Sequence, residues 1–299
     1  MEKIALFCKS YSKDLLRAKR MAQSVQRFNR DAIPLYISVP LQELDLFKDQ
    51  FNDLPCHFLT DEEIIDNCIK AYGPFPRLFP KYLMQQLVKL EFWRLKKCAY
   101  YLWIDSDAYF LRPFYTKDFF QDQDTPLLVM HKAKDLRAFS KKHDPRIAEK
   151  LDNRIEKIQQ LFGRKGEFFY FGDPPLVWSS AVLEGLSTDF LKPKSMTIYD
   201  LLYAYPCEMQ LYGEFLLASG NYKFAPTEPF FKIFHYAEQF FEAQRQGESE
   251  FSIAKTHMGV LIQSNWTDIR EKKKNDLARF KKFLREQQRK LGLMGTQKF

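Results

Sequence analysis

Glycine is scarce, with 11 in 299 residues. None stands in a G-x-G-x-x-G turn after the first strand or in a Walker pattern, so the usual dinucleotide and P-loop phosphate cradles are absent. The five cysteines, Cys8, Cys56, Cys68, Cys98 and Cys207, are scattered, odd in number and form no C-x-x-C pair. This excludes a disulfide framework and a zinc cluster, and predicts a reduced, cytoplasmic protein. No apolar run reaches the roughly 18 residues of a membrane span. Ile4 to Cys8 is too short for a signal-peptide core, so the expectation is a protein neither secreted by that route nor membrane-spanning. Internal repeats and low-complexity segments are also missing.

What is present is apolar and aromatic: 45% hydrophobic residues, with 29 Phe, 15 Tyr and 4 Trp. A chain of this length and composition buries a substantial core. The net charge of +8 is not evenly spread. Between residues 270 and 290 ten Lys and Arg face only Glu271, Asp276 and Glu286, leaving the rest nearly neutral. Leu277, Phe280, Leu284 and Leu291 are spaced 3, 4 and 7 among those cations. Residues 267–299 therefore read as a basic amphipathic helix, which either rests on an anionic membrane surface or packs one stripe against its own domain. A nucleic-acid binder would use the same charge, but its confinement to one terminal helix argues for no nucleic-acid partner.

Ile4-Ala-Leu-Phe-Cys8 reads as a first buried strand. Ser12 is its following N-cap, and Leu15, Ala18, Ala22 and Val25 form one helical face to about Phe28. Pro34 to Val39 is a second strand, giving β-α-β and a parallel sheet. Helices are expected over Asp61–Ala71 and Tyr82–Lys97, the second burying Leu83, Leu87 and Leu90 and carrying the neighbours Gln86 and Lys89. Ile147 to Phe162 is predicted as an exposed amphipathic helix inserted over the site. Glu167 to Gly172 is predicted as a strand, Glu208 to Ser219 as a helix with Glu208 in its first turn, and Phe230 to His235 as a late strand.

The chain is organised around Ala99-Tyr-Tyr-Leu-Trp-Ile-Asp105-Ser-Asp107. An aromatic and aliphatic strand ends abruptly in two carboxylates, which an open α/β sheet presents to its ligand crevice. Hard oxygen ligands in pairs suit Mg²⁺ or Mn²⁺, which clamps phosphates. Asp122-Gln-Asp124 has the same spacing but lies in a polar loop with no strand before it, and reads as turn chemistry.

Gln85-Gln-Leu-Val-Lys-Leu90, Tyr101-Leu-Trp-Ile-Asp-Ser-Asp-Ala-Tyr-Phe-Leu-Arg-Pro113 and Glu208-Met-Gln-Leu-Tyr-Gly213 together resemble the GT-A-fold glycosyltransferases of the Asp-x-Asp kind, such as those building bacterial surface polysaccharides. The resemblance covers residues 1 to about 266. It implies a Rossmann-like α/β fold with a mixed central sheet flanked by helices, a nucleotide-diphosphate sugar donor, a saccharide or glycolipid acceptor, and Mn²⁺ or Mg²⁺. Carried over, Asp107 holds the ion and Asp105 orients its shell or the donor ribose, with His235 and His257 competing as a further ligand. Lys9, Ser10 and Tyr11 end the strand that holds base and ribose; Gln86 and Lys89, neighbours on their helix, either bind a phosphate or belong to a solvated polar face. Glu208 is the candidate general base, or else a partner of the helix dipole, and Asp173 is the second choice. Trp178 stacks on a sugar or belongs to the core. A haloacid-dehalogenase-type phosphatase also begins from strand and Asp-x-Asp, but its pair is followed by Gly-Thr rather than Ala-Tyr.

Overall fold

The computed structural model describes residues 1–263. The basic segment 267–299, with its expected helix and the domain boundary before it, lies outside the described residues.

The chain opens with β1 (Glu2–Lys9), α1 (Leu15–Phe28), β2 (Leu35–Val39), α2 (Leu44–Gln50), β3 (His57–Thr60) and α3 (Asp61–Tyr72). Then come α4 (Lys81–Glu91), β4 (Cys98–Trp103), β5 (Ala108–Phe110), β6 (Leu127–Val129), α5 (Lys134–His143) and α6 (Arg146–Leu161). The remainder is β7 (Leu176–Ser179), α7 (Ser180–Gly185), α8 (Ile198–Ala204), α9 (Glu208–Ser219), β8 (Ala225–Thr227), β9 (Phe231–Phe234), α10 (Ala237–Arg245), α11 (Glu250–Thr256) and β10 (Gly259–Ile262). No described helix is long and apolar enough to cross a membrane.

The central sheet runs β3-β2-β1-β4-β7, with four parallel strands and β7 antiparallel at one edge. It is the mixed α/β sheet flanked by helices that the sequence predicts. Ile4 to Cys8 are buried, as a parallel strand covered on both faces requires. Phe7 stacks on Phe92 at 4.0 Å and meets the edge of Tyr101 at 6.0 Å. Helix α1 buries Ala18, Ala22 and Val25 of the predicted face, with Met21 in addition, while Leu15 stays half-buried. It ends at Asn29, whose carboxamide bonds both backbone groups of Ile33 and turns the chain toward β2. A second, three-stranded sheet orders β5-β10-β9.

The expected strand over Glu167–Gly172 does not form. Its backbone is taken up individually: Tyr170 exchanges hydrogen bonds with His131, Gln210 Nε2 donates to Phe169 O at 2.9 Å, and Lys132 Nζ donates to Phe168 O at 2.8 Å. Gly213 lets α9 approach this segment, because a Cβ there would lie 2.1 Å from the Phe171 ring. The strand beside β4 is instead β7. Helix α6 begins and ends close to the predicted bounds, but it is less exposed than predicted, burying Leu151, Ile155 and Ile158.

Candidate functional site

Register brings the polar residues of the first half to one sheet edge. Phe7 pairs with Trp103 and Lys9 with Ser38, so the ends of β1, β2 and β4 are level. Beyond β4 the chain turns through Asp105-Ser-Asp107, closed by Ala108 N donating to Asp105 O at 3.1 Å. Asp122 accepts from Asp124 N and from the backbone and hydroxyl of Thr125, which is the turn chemistry expected of that second pair.

Lys89 joins the three motifs. It comes from the last turn of α4, is 6% exposed, and lies 4.0 Å from the centre of the Trp103 ring. Its Nζ is 2.8 Å from Asp105 Oδ1 and 3.4 Å from Glu208 Oε1. Burial alone would drive the ammonium to lose its proton; the two carboxylates outweigh it and raise its pKa above the ordinary lysine value. Glu208 sits in the first turn of α9, as predicted, and is buried.

At the end of β1, Lys9 pairs with the buried Asp61 at 2.9 Å, and Ser38 donates to the same carboxyl at 2.6 Å. Burial raises the Asp61 pKa against the pull of Lys9. Beside this network Ser10 Oγ is buried without a hydrogen-bond partner, and on α4 so is Gln86 Oε1. Buried polar atoms are nearly always satisfied; Trp93 Nε1, Trp103 Nε1 and Tyr199 Oη are likewise without a partner, and Ser10 differs from them in standing at the carboxyl end of β1. Tyr11 follows, half-buried.

A second cluster faces a cavity of about 320 Å³ bounded in part by β9 and the start of α5. Asp173, 7% exposed, is 3.3 Å from His235 Nε2 and 3.9 Å from His131 Nε2, and accepts from Tyr170 Oη at 3.2 Å. Burial would raise the Asp173 pKa, but His235 and His131 bring it below the usual carboxylate value. The His235 pKa is conversely raised, Asp173 overcoming the effect of burial. His257 also lines the cavity, its pKa lowered first by burial and then by Lys232. The clusters share a strand edge: Ile262 N donates to Asp107 O at 3.2 Å, and Gln263 N donates to Phe234 O at 3.2 Å. Asp107 and Phe234 are thus two strands apart, about 10 Å.

The expected ion ligands divide between these clusters. Asp105 and Asp107 share the turn after β4, whereas His235 faces Asp173 and His257 Nδ1 lies 2.9 Å from Thr256 Oγ1. Among the described residues no three His, Cys, Asp or Glu side chains gather to hold an ion. Trp178 is a core residue: it is 1% exposed, stacks on Tyr212 at 5.1 Å and meets Trp103, so neither face is open to a sugar.

Sequence reasoning passed over His131 and Arg154. His131 is isolated in a charged stretch, and only its backbone pairing with Tyr170 brings it to Asp173. Arg154 stands among the many charges of α6, but its Nη1 lies 4.0 Å from Cys207 Sγ and it acts electrostatically on Tyr170. The predicted placement of α6 beside the site was the available signal.

No curated protein matches the chain. Among solved structures it is similar to mouse xyloside xylosyltransferase 1 in its apo form, with 10% identity and a TM-score of 0.48, covering 88% of this chain and 98% of that one. The model of a family of unknown function, DUF6492, matches residues 4–161, more than half of the sequence, and the protein belongs to that family.

Proposed function

We propose that the protein is a glycosyltransferase that moves a sugar from a nucleotide-diphosphate donor to a saccharide acceptor. The observation that carries this reading is the convergence of Asp105 and Glu208 on the buried Lys89; Gln86, three residues before Lys89 on α4, and Ser10, just after β1, each carry a buried oxygen without a partner. Nucleoside and phosphates would lie along the ends of β1 and β4, with Lys9, Ser10 and Tyr11 toward the nucleoside.

Asp105 and Glu208 together outnumber Lys89, the one ammonium that both engage, so a diphosphate needs a counter-cation to enter. Asp105 and Asp107 fit Mg²⁺ or Mn²⁺ in the usual manner of such ions, held by one or two carboxylates with substrate phosphates completing the shell. Bound there, the ion would supply Lewis-acid stabilisation of charge on the departing diphosphate. Lys89, held in place by Asp105 and Glu208, adds a fixed positive charge that would act on the diphosphate without reorganising.

The proton of the acceptor hydroxyl is assigned to His235 rather than Glu208, because Glu208 is engaged by an ammonium. His235 Nε2–H donates to Asp173, leaving Nδ1 to take the proton as the acceptor oxygen bonds to the anomeric carbon and the bond to the diphosphate breaks. Asp173 orients the ring and stabilises the imidazolium. The test is nucleotide release from UDP-, GDP- and dTDP-sugars, followed chromatographically. One donor class should be turned over, and Asp105→Asn should abolish it. Release from none of them, with inorganic phosphate freed from simple phosphomonoesters, would reject the reading.

A further inference from the structure

The segment Gly73-Pro-Phe-Pro-Arg-Leu78-Phe-Pro-Lys-Tyr82 between α3 and α4 is built to display apolar groups. Leu78 is 86% exposed, Tyr82 62% and Tyr203 of α8 47%. Their exposure is enforced from below. Phe75 and Phe79 pack edge-on against Tyr199 at 5.3 and 5.9 Å, Phe79 also meets Tyr203 at 5.3 Å, and the Tyr203 hydroxyl donates to the Leu78 carbonyl. Pro74, Pro76 and Pro80 restrict the backbone, so the tip has little freedom to fold Leu78 back onto the protein.

A leucine held outward at the tip of an anchored loop costs solvation and contributes nothing to the core. The loop itself carries cations only: residues 73–83 contain Arg77 and Lys81 and no acid, while Asp200 stands three residues before Tyr203 on α8. Apolar tip, tyrosines at its rim and cations beside them match the layers of a bilayer interface, where acyl chains, headgroup region and anionic phosphates follow one another.

We propose that this loop docks the protein on an anionic lipid surface, with Leu78 entering the acyl boundary, Tyr82 and Tyr203 at headgroup level, and Arg77 and Lys81 on lipid phosphates. The loop is far in sequence from the basic segment 267–299, and its docking does not depend on the reaction assigned above. Lys81 and Lys89 stand eight residues apart on α4, so the strand-end site lies about 12 Å from the docking face along that helix. A lipid-borne acceptor headgroup is within that reach.

The experiment is sedimentation of the full chain with phosphatidylcholine vesicles containing a third phosphatidylglycerol. Wild type should partition onto them. Leu78→Glu should lower the partition coefficient about tenfold or more, with an unchanged circular dichroism spectrum and melting temperature. Leu41→Glu, altering a leucine 58% exposed elsewhere, should bind as wild type does. The proposal is overturned if wild type stays in the supernatant, if Leu78→Glu binds like wild type, or if Leu41→Glu loses as much.

Discussion

Replacing Lys89 by methionine removes one ammonium and keeps most of the side-chain volume, so the outcome is decided by electrostatics. At 2.8 and 3.4 Å from Asp105 and Glu208, the two attractions are each about 5–6 kcal/mol at an effective dielectric of about 20. Dehydrating the ammonium consumes much of that gain, so the intact cluster stabilises only modestly. Removing the cation is different, because two carboxylates then remain in a poorly hydrated site. Breaking a buried pair from one side costs about 3–5 kcal/mol. The Asp105 side chain is 30% exposed and can recruit water, which favours the lower end, about 3 kcal/mol. Urea unfolding with unchanged slope measures it directly. Adding Glu208→Gln gives a change of sign: in wild type it destabilises by removing a partner of Lys89, whereas beside Lys89→Met it should restore stability by removing a stranded charge. A loss below about 1 kcal/mol for Lys89→Met, or a second substitution that costs the same in both backgrounds, would refute the reasoning.

The Asp173–His235 pair should leave a pH signature. The lowered Asp173 pKa stabilises above its ordinary 3.8 and is lost as pH falls through the folded value; the raised His235 pKa stabilises below 6.5 and is lost as pH rises through the folded value. The melting-temperature difference between wild type and His235→Gln should therefore peak near pH 5 and shrink by about pH 8, and a difference that grows with pH would contradict the pairing. If His235 takes the acceptor proton, transfer by wild type rises with pH through its raised pKa and His235→Gln lacks that limb. Gly213→Ala pushes a methyl into the Phe171 ring and should destabilise by about 1–3 kcal/mol; a melting temperature equal to wild type would mean that the 167–172 segment does not pack on α9 as described.

Local signals in the sequence anticipated the cluster at the strand ends, where Lys89, Asp105 and Glu208 meet. Ile4 to Cys8 and Tyr101 to Trp103 are strands because both faces are buried, and an uninterrupted apolar run announces that. Asp105, Lys89 and Glu208 meet because each stands at the end of a regular element: a strand, a helix C-terminus and a helix N-terminus. Glu167 to Gly172 misled because its aromatic run has strand composition, while its backbone is met by single groups rather than by a strand: Tyr170 by the His131 backbone, Phe168 and Phe169 by the side chains of Lys132 and Gln210. Trp178 was ambiguous for a related reason: a ring one turn from a polar loop serves ligand or core equally well, and only the stacking of Tyr212 from α9 decides it. His131 carried no signal that distinguishes it from the charges around it, and Arg154 only the expected placement of α6 over the site; their positions come from which elements pack together.

Calorimetry of UDP, GDP, CDP and dTDP binding to the full chain, with Mn²⁺ and with chelator, bears most directly on the strand-end carboxylates. One diphosphate should bind in the presence of the ion, bind at least about tenfold more weakly in its absence, and fail to bind Asp107→Ala. Equal affinity for wild type and Asp107→Ala, with or without the ion, would place the nucleotide elsewhere and contradict the assignment.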